Sequence, residues 1–339
     1  MKFWILLCSC LLSASLISQE ASLSRADNIK IFNESQRCFK AAIKEGQKLT
    51  ESRRCAKLSL EAGRSLFEPD SKNIAILTYN YGKTLNKYGK ERQAVLKNAI
   101  KLYESIHGKD SPELISLLID AGKANRAVRI AKDSYGGGSI LYADTLLAAG
   151  MSDPFKGARF LEEALQMYMK AGGPDSLGVT LANFYLGKNK MAQAQYKLSI
   201  PYFLKATKNP SIASYAHAFL VDAYDRTNQQ DKATKQVLIM AAIRGNTAQS
   251  YIPLFVQQPK YPDRARRFGK EGYAMIELTV SKEGLALNPT VIEEKPEGQE
   301  FGKAALKAAA SLRYVPRFID GEPVEVPGVL YKYNFNMAR

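Results

Sequence analysis

Residues 257–284 read QQPKYPDRARRFGKEGYAMIELTVSKEG, and the pattern changes character halfway along. From Gly272 onward apolar and polar residues alternate. Ala274, Ile276, Leu278 and Val280 fall on one face, and Glu277, Thr279 and Ser281 on the other. A period of two is that of a half-buried strand. Ser281-Lys282-Glu283-Gly284 reads as a tight turn with glycine at its last position, and Leu285–Glu293 as the returning strand. Tyr261-Pro262 marks an extended entry, and 263–269 (DRARRFG) a short basic helix. Further on, FGKAALKAAASLRY (301–314) is expected to form an Ala-rich helix whose Phe301, Ala304, Ala305, Ala308 and Leu312 cover the sheet. Gly321 turns the chain, and VLYKYNF (329–335) is the third strand, with Val329, Tyr331, Tyr333 and Phe335 pointing one way and Lys332 and Asn334 the other. The end of the chain is thus a small α+β module, a three-stranded antiparallel sheet with two helices.

The residues before it are helical in pattern almost throughout. Asp70-Ser71 is followed by Gly82-Lys83, Asp110-Ser111 by Gly122-Lys123 and Asp175-Ser176 by Gly187-Lys188, with the same spacing each time. KNAIKLYESIHGKDS (97–111) is echoed by EEALQMYMKAGGPDS (162–176), aligning Ala99 with Ala164, Tyr103 with Tyr168 and Gly108 with Gly173. Asp-Ser suits a helix start, after which apolar residues such as Leu114, Leu117 and Leu118 share a face. Gly-Lys suits a helix end, glycine permitting a reversal and lysine complementing the negative end of the dipole. Self-similarity of this kind marks a solenoid of helix pairs. Six pairs are expected, at 28–66, 70–107, 111–134, 139–171, 175–207 and 211–244, with Gly136-Gly137-Gly138 breaking the array near its middle. The units resemble tetratricopeptide repeats, which implies an all-α array able to hold a second protein or peptide, or one that only spaces the end module.

Charge is unevenly spread. Of 48 Lys/Arg and 33 Asp/Glu, residues 251–339 hold 13 and 11, so nearly all of the +15 excess lies in the helical part. A basic array favours an anionic envelope component such as lipid or polysaccharide, while no basic-aromatic motif points to nucleic acid. At the N-terminus Lys2 precedes an apolar run from Phe3 to Ser18, too short for a full membrane span and suited to a signal peptide. Cleavage fits after Ser15 or after Ala26; an uncleaved anchor is the alternative, and Leu7-Cys8-Ser9-Cys10 is a poor lipidation site. Export permits a disulfide between Cys38 and Cys55, which face each other if the chain reverses at Gly46-Gln47 into an antiparallel helix pair; two buried thiols are the other reading.

Catalytic and metal motifs are missing from the sequence. Gly82-Lys83-Thr84 lacks the upstream glycine of a phosphate loop, where Leu77 stands, and it lies in a helical repeat. The two histidines, His107 and His217, are far apart, and no nucleophile-base-acid order, paired carboxylates or zinc spacing presents itself. The chain reads as a non-enzymatic protein without cofactor.

The end module carries an ordered set of residues: Gln258-Pro259-Lys260-Tyr261-Pro262, Ala265, Glu271-Gly272, Gly284, Phe301, Ala305, Arg313-Tyr314-x-Pro316, Gly321 and Tyr331-Lys332-Tyr333-Asn334. In this it resembles the C-terminal domain of the TonB family, periplasmic proteins that engage outer-membrane transporters. Leu312 departs from the large aromatic common before the Arg-Tyr pair. The resemblance implies that an extended transporter segment adds as a strand beside the last strand, with contacts at Gln258, Pro259, Tyr261 and Pro262 and at Val329, Leu330, Tyr331, Lys332, Tyr333 and Asn334. Tyr261 and Pro262 serve equally well as anchors of the domain's start. The alternative is an envelope-assembly or cell-wall adaptor using the same domains without energy transduction, because no Pro-rich spacer follows the N-terminal segment. The expected organisation is a leader over 1–26, an array over 27–245, a linker over 246–256 and the TonB-like domain over 257–339, in a periplasmic protein of a Gram-negative-type envelope.

Overall fold

The computed structural model describes residues 24–44, 49–244, 252–319 and 321–337. The apolar leader and the Gly46-Gln47 reversal lie outside the described residues. The chain divides into two compact units between Ala121 and Gly122.

The first unit holds α1 (Arg25–Lys44), α2 (Leu49–Leu66), α3 (Lys72–Thr84), α4 (Lys90–His107) and, after a 3₁₀ turn at Pro112–Leu114, α5 (Ile115–Asp120). Ser24 and Asp27 cap α1 reciprocally, the Asp27 amide donating to Ser24 Oγ at 3.1 Å and the Ser24 amide to Asp27 Oδ2 at 3.2 Å. Ser59 Oγ donates to Ser35 Oγ at 2.7 Å, and Cys38 and Cys55 form a disulfide with Cα atoms 5.9 Å apart. As the residue number rises along one helix it falls along the other, so α1 and α2 run antiparallel and the expected bridge is present. Glu51 stands beside the sulfurs and pairs with Arg54, which holds its carboxyl below the usual range. Phe39, Leu60, Ile74, Leu77 and Leu85 make the core of this unit.

The second unit begins with α6 (Ala124–Tyr135), α7 (Ile140–Ser152), α8 (Ala158–Gly172), α9 (Leu177–Ala192), α10 (Tyr196–Ala206), α11 (Pro210–Asp225) and α12 (Gln230–Arg244). The helix boundaries fall within a few residues of the six expected pairs. Ser71, Ser139 and Ser176 cap their helices, accepting from the amides of Ile74, Tyr142 and Val179. Ser111 does not; its hydroxyl turns to Glu113, and Pro112 opens the 3₁₀ turn. The glycines need a further correction. Gly122 has a positive φ of 73° and ends α5, but Gly82 and Gly187 lie inside α3 and α9. A Cβ on Gly82 would stand 2.6 Å from Leu96, and one on Gly187 2.6 Å from the Phe203 ring. These glycines let the second helix of each pair approach; they do not turn the chain.

Buried tyrosines bind the paired helices further. Tyr81 donates to Glu91 at 2.5 Å, Tyr142 to Glu163 at 2.9 Å and Tyr168 to Asp144 at 2.6 Å. Each spans the two helices of one pair and is charge-assisted, the stronger kind of hydrogen bond.

The rest of the unit comprises α13 (Asp263–Arg267), β1 (Gly272–Val280), β2 (Ala286–Lys295), α14 (Phe301–Ala309), β3 (Arg317–Ile319), β4 (Glu322–Val324) and β5 (Val326–Phe335). The main sheet is antiparallel in the order β2-β1-β5, with Ala274 opposite Tyr333 and Leu278 opposite Val329. Ala274, Ile276, Leu278 and Val280 are buried with Phe301, Ala305, Ala308 and Leu312, as the alternation requires. Three details differ from expectation. Ser281 is buried, and its Oγ accepts from the amides of Glu283 and Leu285, closing the hairpin. The Ala-rich helix stops at Ala309, because Arg313 is drawn into backbone bridges with Phe255 and Leu285. A separate hairpin, β3–β4, occupies the stretch read only as a turn at Gly321.

Burial, then the bonds to Glu91 and Glu163, push Tyr81 and Tyr142 from 10 up to about 12. A raised tyrosine pKa stabilises the fold below pH 10 and loses that contribution as pH rises through the folded value. The thermal midpoint should therefore fall between about pH 10 and 12, and less steeply in a Tyr81→Phe/Tyr142→Phe double variant, as followed by circular dichroism.

Candidate partner-binding site

β1 is the middle strand and both of its edges are used, so the free hydrogen-bonding edges belong to its neighbours. α14 packs on β1 and β2. Glu294 fixes that helix in place: its Oε1 accepts from the Gln299 amide at 2.9 Å and its Oε2 from the Gly302 amide at 3.0 Å, a carboxylate at the positive end of the helix. Beyond β5 no further strand pairs among the described residues. From Val329 to Phe335 the strand therefore presents one row of amides and carbonyls to β1 and the opposite row outward, the geometry that strand addition requires. Pro327, which has no amide, lies with Gly328 at a shift in the pairing.

Along β5 the side chains alternate. Val329 and Tyr333 are buried and Tyr331 is half-buried, while Leu330, Lys332 and Asn334 are exposed. Burial pushes the Tyr331 and Tyr333 phenols up, so both stay neutral in the core. The Lys332 ammonium lies 3.6 Å from the centre of the Tyr273 ring on the adjacent strand, a cation–π contact that settles the lysine along the sheet. Leu330 is left standing at 54% exposure.

The entry segment reaches the same end of the sheet. Tyr261 packs edge-on against Phe301 and Phe335 and donates its hydroxyl to the Lys270 carbonyl at 2.7 Å. Pro262 is buried and sits at the start of α13. These two residues hold the module's beginning against the end of β5. Pro259 is half-buried and Gln258 exposed. The two groups of residues singled out in the sequence are thus brought together at Tyr261 and Phe335.

Arg313 carries a role the sequence did not reveal. Its guanidinium, 5% exposed, makes a two-pronged pair with Asp225 at the end of α11, Nε to Oδ2 at 2.8 Å and Nη2 to Oδ1 at 2.7 Å. Nη2 also donates to Gln230 Oε1 at the start of α12. The Arg313 carbonyl accepts from the Leu254 amide at 2.7 Å, and the next residue's amide donates to the Gly284 carbonyl at 2.9 Å. Gly284 has a φ of 78°, and a Cβ there would stand 2.1 Å from the Tyr314 carbonyl oxygen. Around this pair Val315 packs with Met240 and Ala241, and Phe255 meets Phe219 edge-on. The module is therefore docked on the last helix pair. An arginine within the apolar run Leu312–Val315 was the one available signal.

Replacing Asp225 leaves a buried, unpaired guanidinium. Asp225→Ala should lower stability by about 3 kcal/mol, whereas Asp225→Ala combined with Arg313→Met should recover much of that loss, measured by chemical denaturation.

No curated protein matches the chain. Among solved structures, the crystal structure of BtubC (BKLC) from P. vanneervenii is 14% identical, over 69% of this chain and 97% of that one, with a TM-score of 0.36, too low to bear on fold. The informative match is confined to the region just described: residues 257–337 match the family described as the Gram-negative bacterial TonB protein C-terminal.

Proposed function

We propose that the protein is a non-enzymatic, periplasmic adaptor whose end module takes up an extended segment of an outer-membrane transporter as an added strand along β5. The observation that supports this reading most is the unpaired outer edge of a ten-residue strand within the region matched by the TonB family. Backbone bonds along that edge supply affinity, and the exposed Leu330, Lys332 and Asn334 supply selectivity. Gln258 and Pro259 border the site, while Tyr261 and Pro262 act by holding its frame. In this reading residues 27–245 recruit a second protein, 246–256 link, and 257–339 grasp.

Export by the N-terminal segment belongs to the same proposal. No helix among the described residues is long and apolar enough to cross a membrane. A cut after Ala26 would remove the Ser24 cap of α1, so cleavage after Ser15 suits the folded chain better.

One observation favours the envelope-assembly reading instead. The module is docked on α11 and α12 through Arg313, where a protein that reaches across the periplasm would need a long spacer. A photoreactive amino acid at position 332, activated in cells and followed by mass spectrometry, separates the two readings. Capture of the N-terminal segment of an outer-membrane transporter is expected. Capture of wall or assembly proteins alone would sink the transporter reading.

A further inference from the structure

From Ser176 to Val221 the chain contains five lysines and no aspartate or glutamate. The stretch includes α10, and the fold decides where its charge points. α7, α9 and α11 touch in series; α10 packs on α9 and α11, and α12 on α11. α10 buries Ser199, Phe203 and Ala206 against these neighbours. Lys197, Leu198, Pro201, Leu204, Lys205 and Lys208 are left on its open side.

The next even-numbered helix repeats the arrangement. α10 starts at Tyr196 and α12 at Gln230. At that offset Leu238 takes the position of Leu204, Lys235 that of Pro201 and Lys232 that of Leu198, and all three are exposed. Leu198 is 56%, Leu204 44%, Leu238 38% and Ile243 53% exposed. Among the described residues Lys197, Lys205, Lys208 and Lys235 form no ion pair, and Asp231 is the one acid on these two helices' open faces.

Single exposed aliphatic side chains are ordinary; here four of them stand among lysines on helices that carry one acid. These faces interleave aliphatic side chains with lysines, whose long stems let apolar neighbours sink while the ammonium groups stay at headgroup level. We infer that the open faces of α10 and α12 form a docking surface for an anionic phospholipid membrane. Lysines give long-range attraction to lipid phosphates, and Leu198, Leu204, Leu238 and Ile243 supply shallow insertion.

The test uses the full chain in co-sedimentation with vesicles of phosphatidylcholine alone and of phosphatidylcholine with phosphatidylglycerol. The quantity read is the ratio of the two affinities, so that any binding common to both vesicles cancels. The native chain should prefer the anionic vesicles, and salt should erase the preference. Lys197→Gln, Lys205→Gln and Lys208→Gln should each lower the ratio by about fivefold, the equivalent of about 1 kcal/mol per lysine at a membrane surface. Leu198→Ser/Leu204→Ser should weaken binding to anionic vesicles while leaving the circular dichroism spectrum unchanged, since both side chains stand outside the core. Equal affinity for the two vesicles, a preference that survives both sets of substitutions, or binding to soluble polyglutamate with none to vesicles would overturn the assignment.

Discussion

A guanidinium taken out of water must find its charge partner, and in the second unit that requirement fixes where the sheet module sits. Arg313 is held from both sides, its backbone bridged to Phe255 and Leu285 and its side chain committed to Asp225. A shift of the module over α11 and α12 would leave a buried cation unpaired, at a cost of several kcal/mol. Such a pair adds little net stability compared with an apolar substitute. Its effect is to make one arrangement much better than its neighbours. Apolar contacts of Val315 with Met240 and Ala241 supply the attraction; Arg313 supplies the register.

The same logic runs through the sheet. β1 is apolar on the face that α14 covers, and pairing on both sides uses up its hydrogen-bonding edges. Glu294 seats the start of α14, and Tyr261 seats the entry segment on Phe301 and Phe335. With those positions settled, β5 is paired along β1, with Tyr333 in the core and Tyr331 packed against it. Under the proposed strand addition, a partner would meet backbone groups already in place, which would lower the ordering cost of binding.

How far the sequence could be read depends on the range of each interaction. Alternation from Ala274 to Val280 and the Ser caps at 71 and 176 are local signals, and both translate directly into β1 and into the starts of α3 and α9. Cys38 and Cys55 were legible because a single reversal brings them together. Gly82 and Gly187 were misread because glycine serves both a turn and a close helix approach, and only the neighbouring Leu96 or Phe203 distinguishes the two. The β3–β4 hairpin is too short to show a period, although Asp320-Gly321 is a recognised hairpin turn pair. Arg313 was opaque for a different reason: its partner lies 88 residues away, and nothing local marks Asp225 as the one acid it would meet.

α12 has two opposed faces with different duties. Val237, Met240 and Ala241 are buried, Val237 lying against the Gly284 turn and Met240 and Ala241 against Val315, while Lys235, Leu238 and Ala242 face the other way. A membrane lying on the lysine-bearing side would therefore be separated from the module by the width of the helix, about 10 Å. The array would rest on lipid without covering the sheet that it carries. Because Arg313 locks module to helix, any orientation the membrane imposes on α10 and α12 passes directly to β1 and β5. In the proposed adaptor no flexible spacer would be needed to aim β5, because the face of α12 that met the membrane would set its direction.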